Sequence, residues 1–163
     1  MQAEYLINRA LGMVGQGTKY KLGRGGMNPN LATPAPKGEC DCTGFIAWCF
    51  GISRKTNNPF YMKYMNGWFE TSVIYKDVGH TAGLFEQLVK PRAGAIIVFG
   101  DYTTSSGRKE GHIGLITSLN NNAVQVVHCS SGNDKNGDAI QVTDDSVFRN
   151  HKPLYGWWSG LPD

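Results

Sequence analysis

The stretch Cys40-Asp41-Cys42-Thr43-Gly44-Phe45-Ile46-Ala47-Trp48-Cys49-Phe50-Gly51 constrains this chain more than any other. Counted from Cys42, the apolar residues Phe45, Ile46, Cys49 and Phe50 fall at i+3, i+4, i+7 and i+8, the stripe that an amphipathic helix buries. Asp41 stands just before the stripe as an N-cap, able to accept an orphan N–H of the first turn, and Gly51 supplies a C-terminal stop. Cys42 is then placed in the first turn, on the buried face, at the positive end of the helix dipole. A thiolate is stabilised there, so the thiol pKa is expected to fall below its free value of about 8.5. Such a cysteine is a candidate nucleophile. It is equally a small apolar residue packing a helix into a core, and the adjacent Asp41 carboxylate opposes its ionisation. A base elsewhere in the chain has to decide between the two.

The 163 residues suit one domain, 1–163, with a single sizeable core. Hydrophobic residues make up 40% and charged residues 18%, and the 21 glycines point to a loop-rich globular protein rather than a disordered one. The net charge of +3, with no Lys/Arg run longer than a pair, is too weak to argue for nucleic acid, though it suits weak attraction to an anionic polymer. No stretch reaches the length of a membrane span. The first residues lack a basic region followed by an apolar run, so no signal peptide is expected. That fits a monomer made in the cytoplasm that acts after export or lysis, or a chain lacking its leader. Four cysteines in a chain of this size favour free thiols over disulfides.

Leu6, Ile7, Ala10, Leu11 and Val14 predict a first helix over 3–14. Residues 15–39, with six Gly and three Pro, read as a long loop of the kind that has a functional reason. The pivotal helix follows at 42–50. A short helix near Pro59-Phe60-Tyr61-Met62 is expected to line a groove, and His80 to Val89 reads as a further helix. The pattern then turns to strands: Ala95 to Phe99, His112 to Thr117, Ala123 to His128, Ala139 to Val142 and Tyr155 to Ser159. Helices first and an antiparallel sheet after them predict an α+β domain, the nucleophile helix packed on a small sheet.

Of the four histidines, His80 and His151 fall in positions expected to be surface. His112 and His128 stand at ends of two strands joined through Asn120-Asn121-Asn122. If those asparagines form a three-residue hairpin loop, Leu119 faces Ala123, His128 faces Gly114, and His112 becomes the diagonal neighbour of His128 on the same face. A two- or four-residue connection would place the rings on opposite faces. On that reading His112 accepts the Cys42 proton and His128 holds its ring in one tautomer, with Asn133 and Gln125 the next candidates for that holding role. Two alternatives stand beside it: strand-end histidines satisfied by backbone, and a zinc site from Cys40, Cys42, His112, His128 and Cys129.

Taken together, these segments resemble the NlpC-type papain-like cysteine peptidases, bacterial cell-wall endopeptidases. Asp41-Cys42-Thr43-Gly44-Phe45 is similar to their Asp-Cys-Ser-Gly-aliphatic motif, Gly111-His112-Ile113-Gly114-Leu115-Ile116 to their base strand, and Val127-His128 to their third catalytic position. Tyr20-Lys21-Leu22-Gly23 with Gly25-Gly26 resembles the Tyr-x-Trp/Tyr-Gly-Gly element before the nucleophile. Pro91-Arg92-Ala93-Gly94 with Phe99 resembles the Pro-Gly-Asp strand, with Ala95 where that Asp would stand. The resemblance implies a papain-like NlpC-type fold with no cofactor and catalytic Cys42, His112 and His128. It also implies cleavage of peptidoglycan stem peptides, commonly at γ-D-glutamyl linkages to a diamino acid. Tyr20 would contact the reacting carbonyl region, and Asp41 and Thr43 would lie near the substrate amino group. It fits a phage-borne wall hydrolase or an exported effector, the latter with an immunity or export partner. Thr43, Ala95 and the longer insert around 28–37 depart from the family pattern. A CHAP-type amidase, a papain-like acyltransferase or deamidating toxin, and a non-catalytic zinc-held wall-binding module remain alternatives.

Overall fold

A computed structural model describes residues 2–121 and 123–162. The pivotal helix α2 spans Cys42–Cys49, capped by Asp41, whose carboxylate accepts the Gly44 N–H at 2.9 Å. It ends where Gly51 turns left-handed at φ 69°, as the sequence led one to expect. One expectation is corrected: α2 is not amphipathic, because all eight of its residues are buried. Its outer side is covered by the 15–39 loop. Gly26 (φ 72°) lies directly on Gly44, where a Cβ on either residue would collide with the other's backbone or its neighbour's, and Trp48 donates its indole N–H to Leu31 O at 2.8 Å.

Before α2 come α1 (Ala3–Leu11) and a two-stranded parallel pair, β1 (Lys19–Tyr20) with β2 (Glu39–Cys40). The first helix therefore stops three residues short of Val14, and turns replace its last stretch. After α2 follow α3 (Pro59–Met65), α4 (Thr71–His80) and β3 (Phe85–Leu88). Helix α3, capped by Asn58, packs against α4 instead of lining the main cleft. The helix expected over 80–89 is overturned: α4 ends at His80 with Thr81 left-handed, and Phe85–Leu88 is an edge strand paired with β8. Asp77 anchors the turn between them, accepting from Tyr61 Oη at 2.7 Å, Gly83 N at 2.6 Å and Leu84 N at 2.8 Å.

The remaining elements are β4 (Ile96–Thr103), β5 (Lys109–Asn120), β6 (Ala123–Cys129), α5 (Ser131–Asp134), β7 (Ile140–Asp144), α6 (Ser146–Arg149) and β8 (Leu154–Trp158). Six strands form one antiparallel sheet in the order β3-β8-β4-β5-β6-β7. Helix α2 packs on β5 and β6, which brings its N-terminus to the strands that carry His112 and His128. A further tie is local: the Cys129 thiol, next to His128, donates to the Cys40 carbonyl at 3.5 Å.

The β5–β6 hairpin departs from the expected three-residue loop. Asn120 pairs with Ala123, which leaves two residues at the tip, of which Asn122 lies outside the described residues. The odd residue sits lower down, as a bulge at Thr117: Ser118 pairs with Gln125, but Ile116 pairs with Val126 and Leu115 with Val127. Below the bulge the register is the one that places Gly114 against His128, and a Cβ on Gly114 would come within 3.2 Å of the His128 Cβ. Since pairs are already formed on both sides of Thr117, deleting Thr117 should yield a regular hairpin with the site register intact. The deletion variant is expected to keep its activity within about threefold, because no side chain below the bulge changes face. With a three-residue loop and no bulge, the same deletion would slip His112 against His128 and abolish activity.

Candidate active site

Three conformationally fixed groups converge on the end of the β5–β6 pair. His112 Nε2 lies 2.7 Å from His128 Nδ1, His128 Nε2 lies 2.9 Å from Thr143 Oγ1 on β7, and Thr143 donates its hydroxyl to Asp144 O at 2.8 Å. The direction of the last bond fixes the others. With its proton given to Asp144, Thr143 can only accept from His128 Nε2–H, which leaves His128 Nδ1 as an acceptor for His112 Nε2–H. The free lone pair of His112 is therefore on Nδ1. The pair shares a face, as the predicted register requires, and the His112 ring stacks on Phe148 at 5.1 Å.

Both rings are held neutral. Burial drives His112 down to about 3, aided by the neighbouring His128, and burial alone drives His128 to about 4. Cys42 is 6% exposed at the first position of α2. Its thiol departs from expectation: burial pushes it well up, and Asp41 adds to the rise. Arg54 and the Thr43 backbone N–H pull the other way without cancelling it. The helix end does not win against desolvation. Among the described residues no hydrogen bond joins Cys42 Sγ to the His112 ring, so the resting pair is a neutral thiol and a neutral imidazole.

A cleft of about 690 Å³ opens over the two histidines, with Tyr20, Phe99, Tyr102, His112, His128 and His151 in its walls. Tyr20 lines the cleft wall. Burial and the adjacent Cys42 and Asp41 charges raise its phenol. Asp41 and Thr43, which flank Cys42, are 1% and 3% exposed and lie beneath the helix start. Both Asp41 oxygens are occupied, by Gly44 N and Thr43 Oγ1 on one side and by Gly23 N (2.7 Å) and Arg54 Nη2 (2.6 Å) on the other. They build the site, and no free oxygen of Asp41 faces a ligand.

His80 sits at the surface, as expected, its Nδ1 2.7 Å from Lys76 O. His151 does not. It stacks on Phe99 at 4.5 Å and Tyr102 at 4.4 Å in the cleft wall, a contact made by rings distant in sequence. Asn133 donates to His128 O and Ala139 O, so it braces the strand, while Gln125 lies three pairs away opposite Asp144. The zinc alternative loses its donors: Cys129 points at Cys40 O, and three of the four ring nitrogens of the two histidines are hydrogen-bonded. No group of three or more His, Cys, Asp or Glu side chains among the described residues is arranged to hold a metal ion. No helix among them is long and apolar enough to cross a membrane.

The CHAP domain family matches residues 33–133, a span that includes Cys42, His112 and His128. The chain belongs to this family, the cysteine- and histidine-dependent amidohydrolases and peptidases, and is by class a hydrolytic enzyme. CHAP was among the alternatives left open by the motifs; the NlpC-type arrangement is a finer statement than the match makes. Two solved structures share the fold, a crystal structure of Ly7917 and one of Ly7917 with the hydrolyzing product of MDP. Each has a TM-score of 0.57 and 15% identity, covering 98% and 97% of this chain respectively. The chain spans 63% of the length of those chains. No curated protein matches the chain.

The buried neutral histidines make stability depend on pH in a definite direction. Their folded values, about 3 and 4, lie below the ordinary 6.5, so the unfolded chain binds more protons between them. Their contribution is complete above pH 6.5 and is lost as pH falls toward 3. Melting temperature should drop between pH 7 and pH 4.5, and His128→Gln should drop less over the same interval. Equal drops would show that His128 is not buried as a neutral ring.

Proposed function

We propose that this chain hydrolyses amide bonds of peptidoglycan, with Cys42 as nucleophile, His112 as general base and acid, and His128 as the group that orients His112. The observation that carries the reading is the directed chain Asp144 O, Thr143, His128, His112, which leaves His112 Nδ1 as the open base. The CHAP family membership supplies the reaction class. As the substrate carbonyl arrives, Cys42 passes its proton to His112 Nδ1 and the sulfur attacks. The orphan N–H groups at the start of α2 face the oxyanion that forms. His112, now charged and still donating through Nε2 to His128, protonates the leaving amine. A water activated by the same ring then releases the acyl group from sulfur. A neutral resting thiol suits this order, because the proton moves with the attack and no separated ion pair has to be stored in a buried site.

Two bonds are candidates. A γ-D-glutamyl linkage to a diamino acid is supported by the resemblance around Asp41-Cys42 and Tyr20. The amide nearest the sugar is the second reading, supported by the CHAP match and by the fold shared with Ly7917, which was crystallised with the hydrolyzing product of MDP. Among the described residues the cleft wall carries one carboxylate, Glu110, and no facing partner for cutting glycan. We also propose that the protein acts as a monomer on the wall after export or lysis.

Incubation with peptidoglycan should release peptide-containing fragments without new reducing sugar ends, and mass spectrometry of the products identifies the bond. Cys42→Ala and His112→Ala should lose activity by about a thousandfold or more, with His128→Ala added to His112→Ala costing little further. Folded His128→Gln, which can offer a carbonyl to His112, should exceed His128→Ala. Thr143→Val should lower kcat by about tenfold, since the tautomer is no longer directed. New reducing ends, or wild-type turnover in folded Cys42→Ala, would defeat the proposal.

A further inference from the structure

Arg54 follows α2 in the polar stretch Ser53–Asn58, where a solvated side chain would be expected, yet it is 2% exposed. Its Nη2 donates to Asp41 Oδ2 at 2.6 Å and to Thr43 Oγ1 at 2.9 Å, and its Nη1 to Arg24 O at 2.9 Å. Its backbone N–H bonds Gly26 O and its carbonyl accepts from Phe69 N, while the guanidinium lies 4.6 Å from the Trp68 ring. Only Nε is left buried without a partner.

Capping α2 does not require this cation, since Asp41 reaches Gly44 N by itself. A buried ion pair is also no gain in stability over an apolar pair of the same shape. What Arg54 adds is specific to the place. It joins the 24–26 loop to both residues that flank Cys42, and it balances a carboxylate one residue from the thiol.

We propose that Arg54 is a positioning residue for Cys42: it holds the first turn of α2 through Asp41 and Thr43 and neutralises the Asp41 charge beside the thiol. Left alone, Asp41 would oppose formation of the thiolate that attacks. The opposed directions of Asp41 and Arg54 on the Cys42 thiol agree with that division of labour. The inference rests on the reading of Cys42 as the nucleophile.

Alkylation of Cys42 by iodoacetamide at pH 8, followed by peptide mapping, tests it without any wall substrate. Arg54→Gln should slow the reaction by about tenfold, the effect of roughly one unit in thiol pKa, and should lower kcat with KM within about twofold. Asp41→Asn should react at least as fast as wild type. Because the opposed charges of Asp41 and Arg54 act together on the thiol, adding Asp41→Asn to Arg54→Gln, so that both charges are gone, should restore much of the lost alkylation rate. Arg54→Lys, which keeps the charge, should stay within about threefold of wild type and decides the matter if Arg54→Gln does not fold. A tenfold loss in Arg54→Lys, or no recovery of the Arg54→Gln rate when Asp41→Asn is added, would overturn the proposal. Wild-type protein inert on peptidoglycan but obeying this pattern would instead refute the wall-hydrolase reading alone.

Discussion

In an antiparallel hairpin, a slip of one residue turns every side chain of a strand to the other face. His112 and His128 share a site only because the chain between them absorbs one odd residue. The two-residue tip would by itself put the rings on opposite faces; the bulge at Thr117 restores the parity. Everything else in the cleft follows from that register. It sets His128 within 2.7 Å of His112, brings His128 Nε2 to Thr143 on the next strand, and leaves Phe148 to stack on the His112 ring. Gly114, opposite His128, leaves the space that a side chain would fill.

A second constraint is the dryness of the centre. A helix N-terminus favours an anion by about 0.3–1 kcal/mol, and up to ~2 kcal/mol when partly buried. Taking an ion out of water costs several kcal/mol. With Cys42 6% exposed, the larger quantity prevails and the thiol stays protonated at rest. The same burial keeps the histidines uncharged, so the centre stores no charge until substrate is present. Beneath the thiol and the two rings, the one buried ion pair among the described residues, Asp41 with Arg54, is matched at 2.6 Å and tied to the backbone on both sides.

Much of this was legible from residues alone. The cap at Asp41, the stop at Gly51, and five of the strands followed from local pattern, and the even spacing of 16 between the histidines pointed to one face. The route to that face was misread, because a three-residue loop and a two-residue loop with a bulge give the same parity. Leu84, Phe85 and Leu88 mimic a helical stripe, but Thr81 ends α4 and the segment finds a partner in β8, where Phe85 pairs with Trp158 far along the chain. Arg54 was missed because a charged residue in a polar stretch reads as surface; only the tertiary approach of the 24–26 loop buries it. Thr143 and His151 carry no local signal at all. Their roles arise from neighbours on other strands.

The account turns on the protonation of two rings. Nitrogen-15 NMR of the imidazoles at pH 7 reads it directly. Both histidines should be neutral, each protonated on Nε2 with Nδ1 bare, and should stay so until the pH falls below about 5. A charged ring at pH 7, or a proton on Nδ1 of His112, would contradict the account, because His112 would then have no lone pair to offer the thiol.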